Sequence, residues 1–290
     1  MTAILGFEDM VEPPPVYGKI ILRLIGFAAL VGVASSVAWF WHKSTIQQLP
    51  PLFPPEMVAS ALSSKDVVGD LGGIPVKIPA HFAGYVEYDG DPGWGQRVKG
   101  DPAVRTSRSK LRSFGFDVRY PDMAGTSTVE LRRDQRSRSI GSTLWIGVGI
   151  NTGSYYPGDG FLDRILASRL ATKKERLEYE RYEALTKKEH GLAAYAPSGF
   201  DSHSGRPYRE DPSAKDLFVY RDSSQHVRTY IECSNRPHAA APCQHIFSLE
   251  PEAGAQVYIM YRRGLLSEWR QIQESVRRLM MSFKVEPALS

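Results

Sequence analysis

Residues 227–262 read VRTYIECSNRPHAAAPCQHIFSLEPEAGAQVYIMYR. Two runs in it, Val227–Cys233 and Cys243–Leu249, alternate apolar and polar residues, and a third, Ala255–Arg262, is a further strand candidate. That period of two belongs to strands with one buried face. A fourth run, LFVYRD (Leu217–Asp222), precedes them. Four such runs at short spacing predict an antiparallel meander, since tight loops can only join antiparallel neighbours.

Beyond the meander the period changes. Leu265, Trp269, Ile272, Val276, Leu279 and Phe283 step by four, three, four, three and four. This is one apolar stripe on a helix, with Arg270, Gln273, Glu274 and Arg277 on the other side. Such a helix covers one face of a sheet. Upstream, Ile74–Ile78, Gly84–Tyr88, Ser113–Tyr120 and Leu144–Ile150 read as further strands, and Met57–Ser63 as a short helix. Phe161–His190 has a helical period without a continuous apolar stripe, so a long, mostly solvated helix ended by Gly191 is expected. The fold class is therefore α+β, antiparallel sheets with covering helices. A strand set followed by a helix occurs at 74–190 and again at 217–283, which leaves open two related subdomains divided near 191–215.

The chain has 290 residues, 42% of them hydrophobic, with a formal net charge of +4. It is long enough for a sizeable core. Its composition excludes disordered and disulfide-dense classes, and no zinc-finger, basic-helix or RNA-binding signature points to nucleic acid. One segment departs from the average. Ile20–Trp41, IILRLIGFAALVGVASSVAWFW, is apolar throughout apart from Arg23 and long enough to cross a bilayer of about 30 Å. Its acidic leader and bulky WFWHK end do not suit a cleaved signal peptide. The sequence thus predicts one N-terminal transmembrane helix in a bacterial inner membrane. Residues 1–19 form a cytoplasmic tail, 20–41 the anchor, 42–56 a Pro-rich spacer and 57–290 a periplasmic domain. The excess of Lys19 and Arg23 over Lys43 sets that orientation.

The two cysteines, Cys233 and Cys243, each sit at the end of a predicted strand. An exported domain favours a disulfide staple, which places the thiols side by side across a hairpin. Zinc binding with His238 and His245, and a reactive thiol, remain alternatives, although C-x4-H-x4-C-x-H matches no common zinc spacing. His245 lies on a strand and reads as structural. Asp89 and Asp91 in DGDPGWG evoke a calcium loop, but later ligand positions hold glycine. Nucleophile-elbow, zincin, P-loop and dinucleotide motifs are absent. No enzyme, cofactor or metal is expected.

One cluster fits partner binding. Arg97, Lys99, Arg105, Arg108, Lys110 and Arg112 face only Asp101 within sixteen residues, after Trp94. Such a run is either a solvated loop or a basic surface for an acidic protein or for anionic lipid head groups. Tyr155 and Tyr156 supply aromatic anchors of the kind that dominate binding hot spots. The candidate partner-binding set is Trp94, Arg97, Lys99, Arg105, Arg108, Tyr155 and Tyr156.

Several runs carry a resemblance: GGIPVKIPAHFAGYVEYDGDPGWG (72–95), SFGFDVRYPDM (113–123), the C-x9-C hairpin and YRRGLLSEWRQIQESVRRLMMSF (261–283). Together they resemble a family of proteobacterial envelope immunity proteins from type VI secretion effector–immunity loci, including those paired with lipase or phospholipase effectors. The resemblance covers most of residues 68–283 and brings no binding motif with it. It implies a membrane-tethered periplasmic protein that binds and neutralises a secreted antibacterial effector. The chain lacks a lipobox cysteine, so a transmembrane anchor would replace the family's lipid. The rival readings are a structural bitopic subunit of an envelope or secretion complex, and an envelope hydrolase.

Overall fold

A computed structural model describes residues 65–92, 104–139, 142–171, 181–211, 213–236 and 240–285. All fall in the compact unit Ala59–Ser290. Eleven strands are described: β1 (Val67–Leu71), β2 (Ile74–Ile78), β3 (Gly84–Tyr88), β4 (Leu111–Arg119), β5 (Trp145–Thr152), β6 (Tyr182–Ala184), β7 (Ala193–Pro197), β8 (Lys215–Arg221), β9 (Val227–Ser234), β10 (Pro242–Ser248) and β11 (Ala255–Arg262). The α-helices are α1 (Val129–Ser137), α2 (Phe161–Leu170) and α3 (Trp269–Ser282).

The α+β class holds, and the meander β8-β9-β10-β11 forms as the short spacing of its strands predicts. The strands do not divide into two related subdomains. β3 to β11 form one antiparallel sheet in the order β3-β4-β5-β11-β10-β9-β8-β7-β6. The joint is β5 against β11, from Ala255↔Thr152 to Met260↔Gly147, which sews the early strands to the meander. β1 and β2 form a separate hairpin.

Alternation along the strands divides the sheet into two faces. Phe114, Phe116, Ile150, Ile231, Phe247 and Ile259 lie in one buried core. α3 covers it with Trp269, Ile272, Val276 and Met280. The predicted stripe is correct except near its end, where Met280 is fully buried and Leu279 only partly. Gln273, expected on the outer side, is buried because it accepts from His245 and Thr229. On the second face, α2 lays Phe161, Leu162 and Leu166 against Leu217, Val219, Tyr230 and Ile246.

Three expectations are corrected. The first is the long helix over Phe161–His190, which ends at Leu170. Tyr182–Ala184 is instead an edge strand paired with Ala193–Pro197. Its charged residues suit a helix in isolation, but pairing with β7 overrides that weak local preference. Gly191, at φ +80°, serves the turn into β7 rather than a helix end. The second is α1, which no sequence pattern announces. Thr128 caps it by accepting from the Leu131 amide at 3.2 Å, and none of its residues is buried. A helix without an apolar stripe offers no periodicity to detect.

The third concerns the membrane. The expected transmembrane helix Ile20–Trp41 lies outside the described residues, as do the tail, the spacer and Met57–Ser63. Among the described residues no helix is long and apolar enough to cross a membrane. α3, at 14 residues, spans only about 21 Å against a bilayer core of about 30 Å. Among the described residues the fold class therefore carries no transmembrane element. The single-pass inner-membrane location and the tether are withdrawn as supports for function.

Candidate partner-binding face

α2 covers only part of the second sheet face. Over β4, β5 and β11 that cover thins: Gln256 is buried and Tyr258 packs against the α2 cluster, but Gly115, Gly147 and Gly149 are only half-buried and Met260 is exposed. Register aligns three rows across these strands: Ser113, Asn151 and Gln256; Gly115, Gly149 and Tyr258; Asp117, Gly147 and Met260. Residues two apart on a strand share a face, so all nine point the same way. Met260 is 46% exposed at one end of this floor. The Tyr258 hydroxyl donates to Gln256 Oε1 at 2.7 Å and accepts from Asn151 Nδ2 at 3.3 Å. Burial raises its pKa, so the ring stays neutral and held in place.

The glycines keep the floor low. None of Gly115, Gly147 and Gly149 has a positive φ, so backbone geometry does not demand glycine. At Gly149 a Cβ would meet nothing within 4 Å. A glycine inside a strand weakens it and often marks close approach by another chain.

Two helices rim the floor. On one side a groove of about 630 Å³ runs beneath α2, lined by Tyr155, Arg164, Ile165 and Tyr258 among others. On the other a hollow of about 360 Å³ is lined by Asp117, Arg138, Trp145, Gly147 and Met260. α1 stands over that end, fixed by polar contacts. Asp134 accepts from Trp145 Nε1 at 3.0 Å, and Asp117 accepts from Gln135 and from Arg138, the latter at 3.4 Å.

The predicted binding residues separate. Trp94, Arg97 and Lys99 lie outside the described residues. Arg105 pairs with Asp91 and stacks 4.3 Å from the Tyr88 ring, so its charge is neutralised locally. Arg108 is exposed in the loop before β4. Tyr155 is half exposed at the groove, with the Arg112 guanidinium 4.9 Å from its ring centre. Tyr156 points elsewhere: its ring packs edge-on against Phe161 and its hydroxyl donates to Glu250. Of the four that are described, Tyr155 alone lines the groove. Sequence reasoning missed Gly149, Tyr258 and Met260, because period-two alternation identifies two faces without saying which stretch stays uncovered.

The remaining polar residues are structural. Cys233 and Cys243 are register partners on β9 and β10 and form a disulfide in the core. His245 is fully buried beside them. Its Nε2 donates to Gln273 Oε1 at 2.9 Å, and its Nδ1 lies 3.3 Å from the Tyr261 hydroxyl. Desolvation lowers its pKa to about 4, so it is neutral. Both ring nitrogens are occupied, which removes it as a zinc ligand. Asp89 accepts from the Ser154 amide and hydroxyl, and Asp91 from the Tyr88 amide and Arg105, so the calcium-like loop clamps its neighbours. Among the described residues no group of three or more His, Cys, Asp or Glu could hold a metal ion.

A separate cleft of about 350 Å³ between α2 and α3 contains a His226–Asp163 contact of 3.3 Å. Asp163 also accepts from the Val227 amide and Arg221, so it ties the β8–β9 turn to α2.

The described residues form an α+β scaffold whose sheet is covered by α3 on one face and only in part on the other, and comparison with solved structures shows where such a fold recurs. The chain is similar to Smlt3025, an immunity protein of the Stenotrophomonas maltophilia type IV secretion system. Identity is 19% over 78% of this chain and 95% of that one, with a TM-score of 0.51. It is also similar to FrpD, the iron-regulated outer membrane lipoprotein of Neisseria meningitidis. There identity is 11% over 76% and 93% of the two chains, at a TM-score of 0.40. No protein-family model and no curated protein matches. At 19% identity the first likeness establishes a shared fold. The solved immunity protein serves a type IV system, whereas the sequence resemblance pointed to type VI.

Proposed function

We propose that this chain is an immunity-type binding protein that neutralises an antibacterial effector protein by covering part of its surface. Type VI loci are where the sequence resemblance points, and the solved protein of this fold belongs to a type IV system. What the two share is an immunity protein tied to a secretion system, and the partner class we take is an effector that such a system delivers. The thinly covered face over β4, β5 and β11 carries the reading. A broad antiparallel sheet with one face covered by α3 leaves part of the other bare, with Tyr258, Met260 and the space above Gly149 on view. Tyr and Met are enriched where proteins meet, and here Tyr258 and Met260 stand among polar and glycine positions. Inhibition by occlusion needs no catalytic residue. The buried disulfide fits folding in an oxidising compartment.

The test is genetic. Deleting the gene should make cells sensitive to their own siblings, and deleting one neighbouring effector gene should relieve that sensitivity. Complementation with Gly149→Trp should fail although the variant folds, because the indole would fill the floor. Full protection by a folded Gly149→Trp protein would exclude this face. Absence of any sensitivity on deletion would exclude the immunity role.

A further inference from the structure

α1 is a nine-residue helix that buries none of its residues. A helix this short has little stability of its own. Its sheet-facing side carries Leu131 and Gln135, with Arg138 just beyond, and the polar contacts of Gln135, Arg138 and Asp134 hold it in place. Its outward side carries Val129, Arg132, Arg133 and Arg136 at helical spacings of three and four. These residues line a hollow of about 490 Å³. Among the described residues no ion pair or side-chain hydrogen bond engages Arg132, Arg133 or Arg136. Like charges three and four apart repel and weaken a helix. Within the fold Arg132 has only a through-space attraction to Glu130 and Arg136 only its place at the helix C-terminal end, small returns for the repulsion the three guanidiniums introduce.

We propose that the outward face of α1 docks an acidic protein surface through Arg132, Arg133 and Arg136, with Val129 as its apolar contact. Charge complementarity identifies the occupant. Every basic residue on this helix is arginine. The planar guanidinium fork pairs bidentately with carboxylates, whereas a diffuse anionic surface would be served equally by lysine. α1 also stands at the rim of the open sheet face, so one partner can lie on the floor and meet the arginines at its edge. The inference rests on reading the chain as a partner-binding protein, but it uses residues outside the floor.

The probe is fluorescein-labelled decaglutamate, followed by fluorescence anisotropy with the full chain. Substituting Arg132→Gln, Arg133→Gln and Arg136→Gln together should weaken binding about tenfold or more, as expected for three exposed pairs. Glutamine keeps helix propensity close to that of arginine, so the melting temperature should hold. A control carrying Lys110→Gln, Lys187→Gln and Lys188→Gln removes the same charge elsewhere and should weaken binding less than about threefold. Equal losses in the two triple variants would reduce the effect to net charge and overturn the proposal. So would wild-type protein that ignores decaglutamate but binds phosphatidylglycerol vesicles through the same arginines, since the occupant would then be a lipid surface. Gly149→Trp separates the two readings: it should leave decaglutamate binding unchanged while abolishing protection. If the arginine triple binds the peptide normally and Gly149→Trp still fails to protect, the helix inference falls and the proposed function stands.

Discussion

Acidification from pH 7.5 to pH 5 should destabilise this protein through His245. The imidazole is fully buried between β10 and α3. Gln273 Oε1 accepts from His245 Nε2 and also from the Thr229 hydroxyl at 2.8 Å, so Nε2 carries the proton and Nδ1 faces the Tyr261 hydroxyl. Desolvation is the larger influence and lowers the pKa from 6.5 to about 4, while the Gln273 hydrogen bond opposes it. No charge contributes to that shift. The folded value lies below the unfolded one, so between the two the unfolded chain binds more protons and stability rises with pH. The contribution is complete above pH 6.5 and is lost as pH falls toward 4. The full shift corresponds to about 3 kcal/mol, of which about 2 kcal/mol is lost by pH 5. Urea unfolding of the wild type and of His245→Gln at a series of pH values measures it. Carboxylates titrate in both proteins and cancel in the difference. The stability gap between them should shift against the wild type by about 2 kcal/mol over this range. A gap constant to within about 0.5 kcal/mol, or a His245 resonance titrating near 6.5, would refute the argument.

Other expectations rest on the same packing. Reducing the Cys233–Cys243 bridge, or replacing both residues with serine, should lower the unfolding free energy by about 2–3 kcal/mol, read from urea midpoints with and without reductant. Asp216 is fully buried between Arg263 at 2.8 Å and Arg209 at 3.3 Å. Arg263→Met, which leaves a buried carboxylate half-paired, should therefore cost about 3 kcal/mol by chemical denaturation, whereas Lys77→Met at the exposed Asp66 pair should cost under about 1. Gly149→Trp should change stability by less than about 1 kcal/mol. Gly72→Ala, at φ +58° with its Cβ driven into the Gly254 backbone, should cost about 2 kcal/mol or more in the same assay. Ile272→Ala, under the centre of α3, should cost about 2–5 kcal/mol, and a value below about 1 would mean the helix does not seal the core.

The residues themselves determine the meander, the helix after it and the staple. In β9 and β10 apolar and polar residues broadly alternate, and from Leu265 to Phe283 one apolar stripe runs at helical spacing. Both periods come from local backbone geometry, so they can be read without knowing what packs where. Cys233 and Cys243 were legible for the same reason, since hairpin register sets them opposite each other. Tertiary structure alone decided the rest. No local pattern in Trp145–Thr152 names β11 as its neighbour, and that single pairing turns two strand sets into one sheet. Tyr182–Ala184 became a strand because β7 offered an edge, against its own helical leaning. Arg105 looked like a free cation until Asp91 was placed beside it. The open floor at Gly149, Tyr258 and Met260 is the extreme case. A strand's outward residues look alike in sequence whether a helix covers them or not, because cover depends on chain segments far away that only the folded molecule brings near.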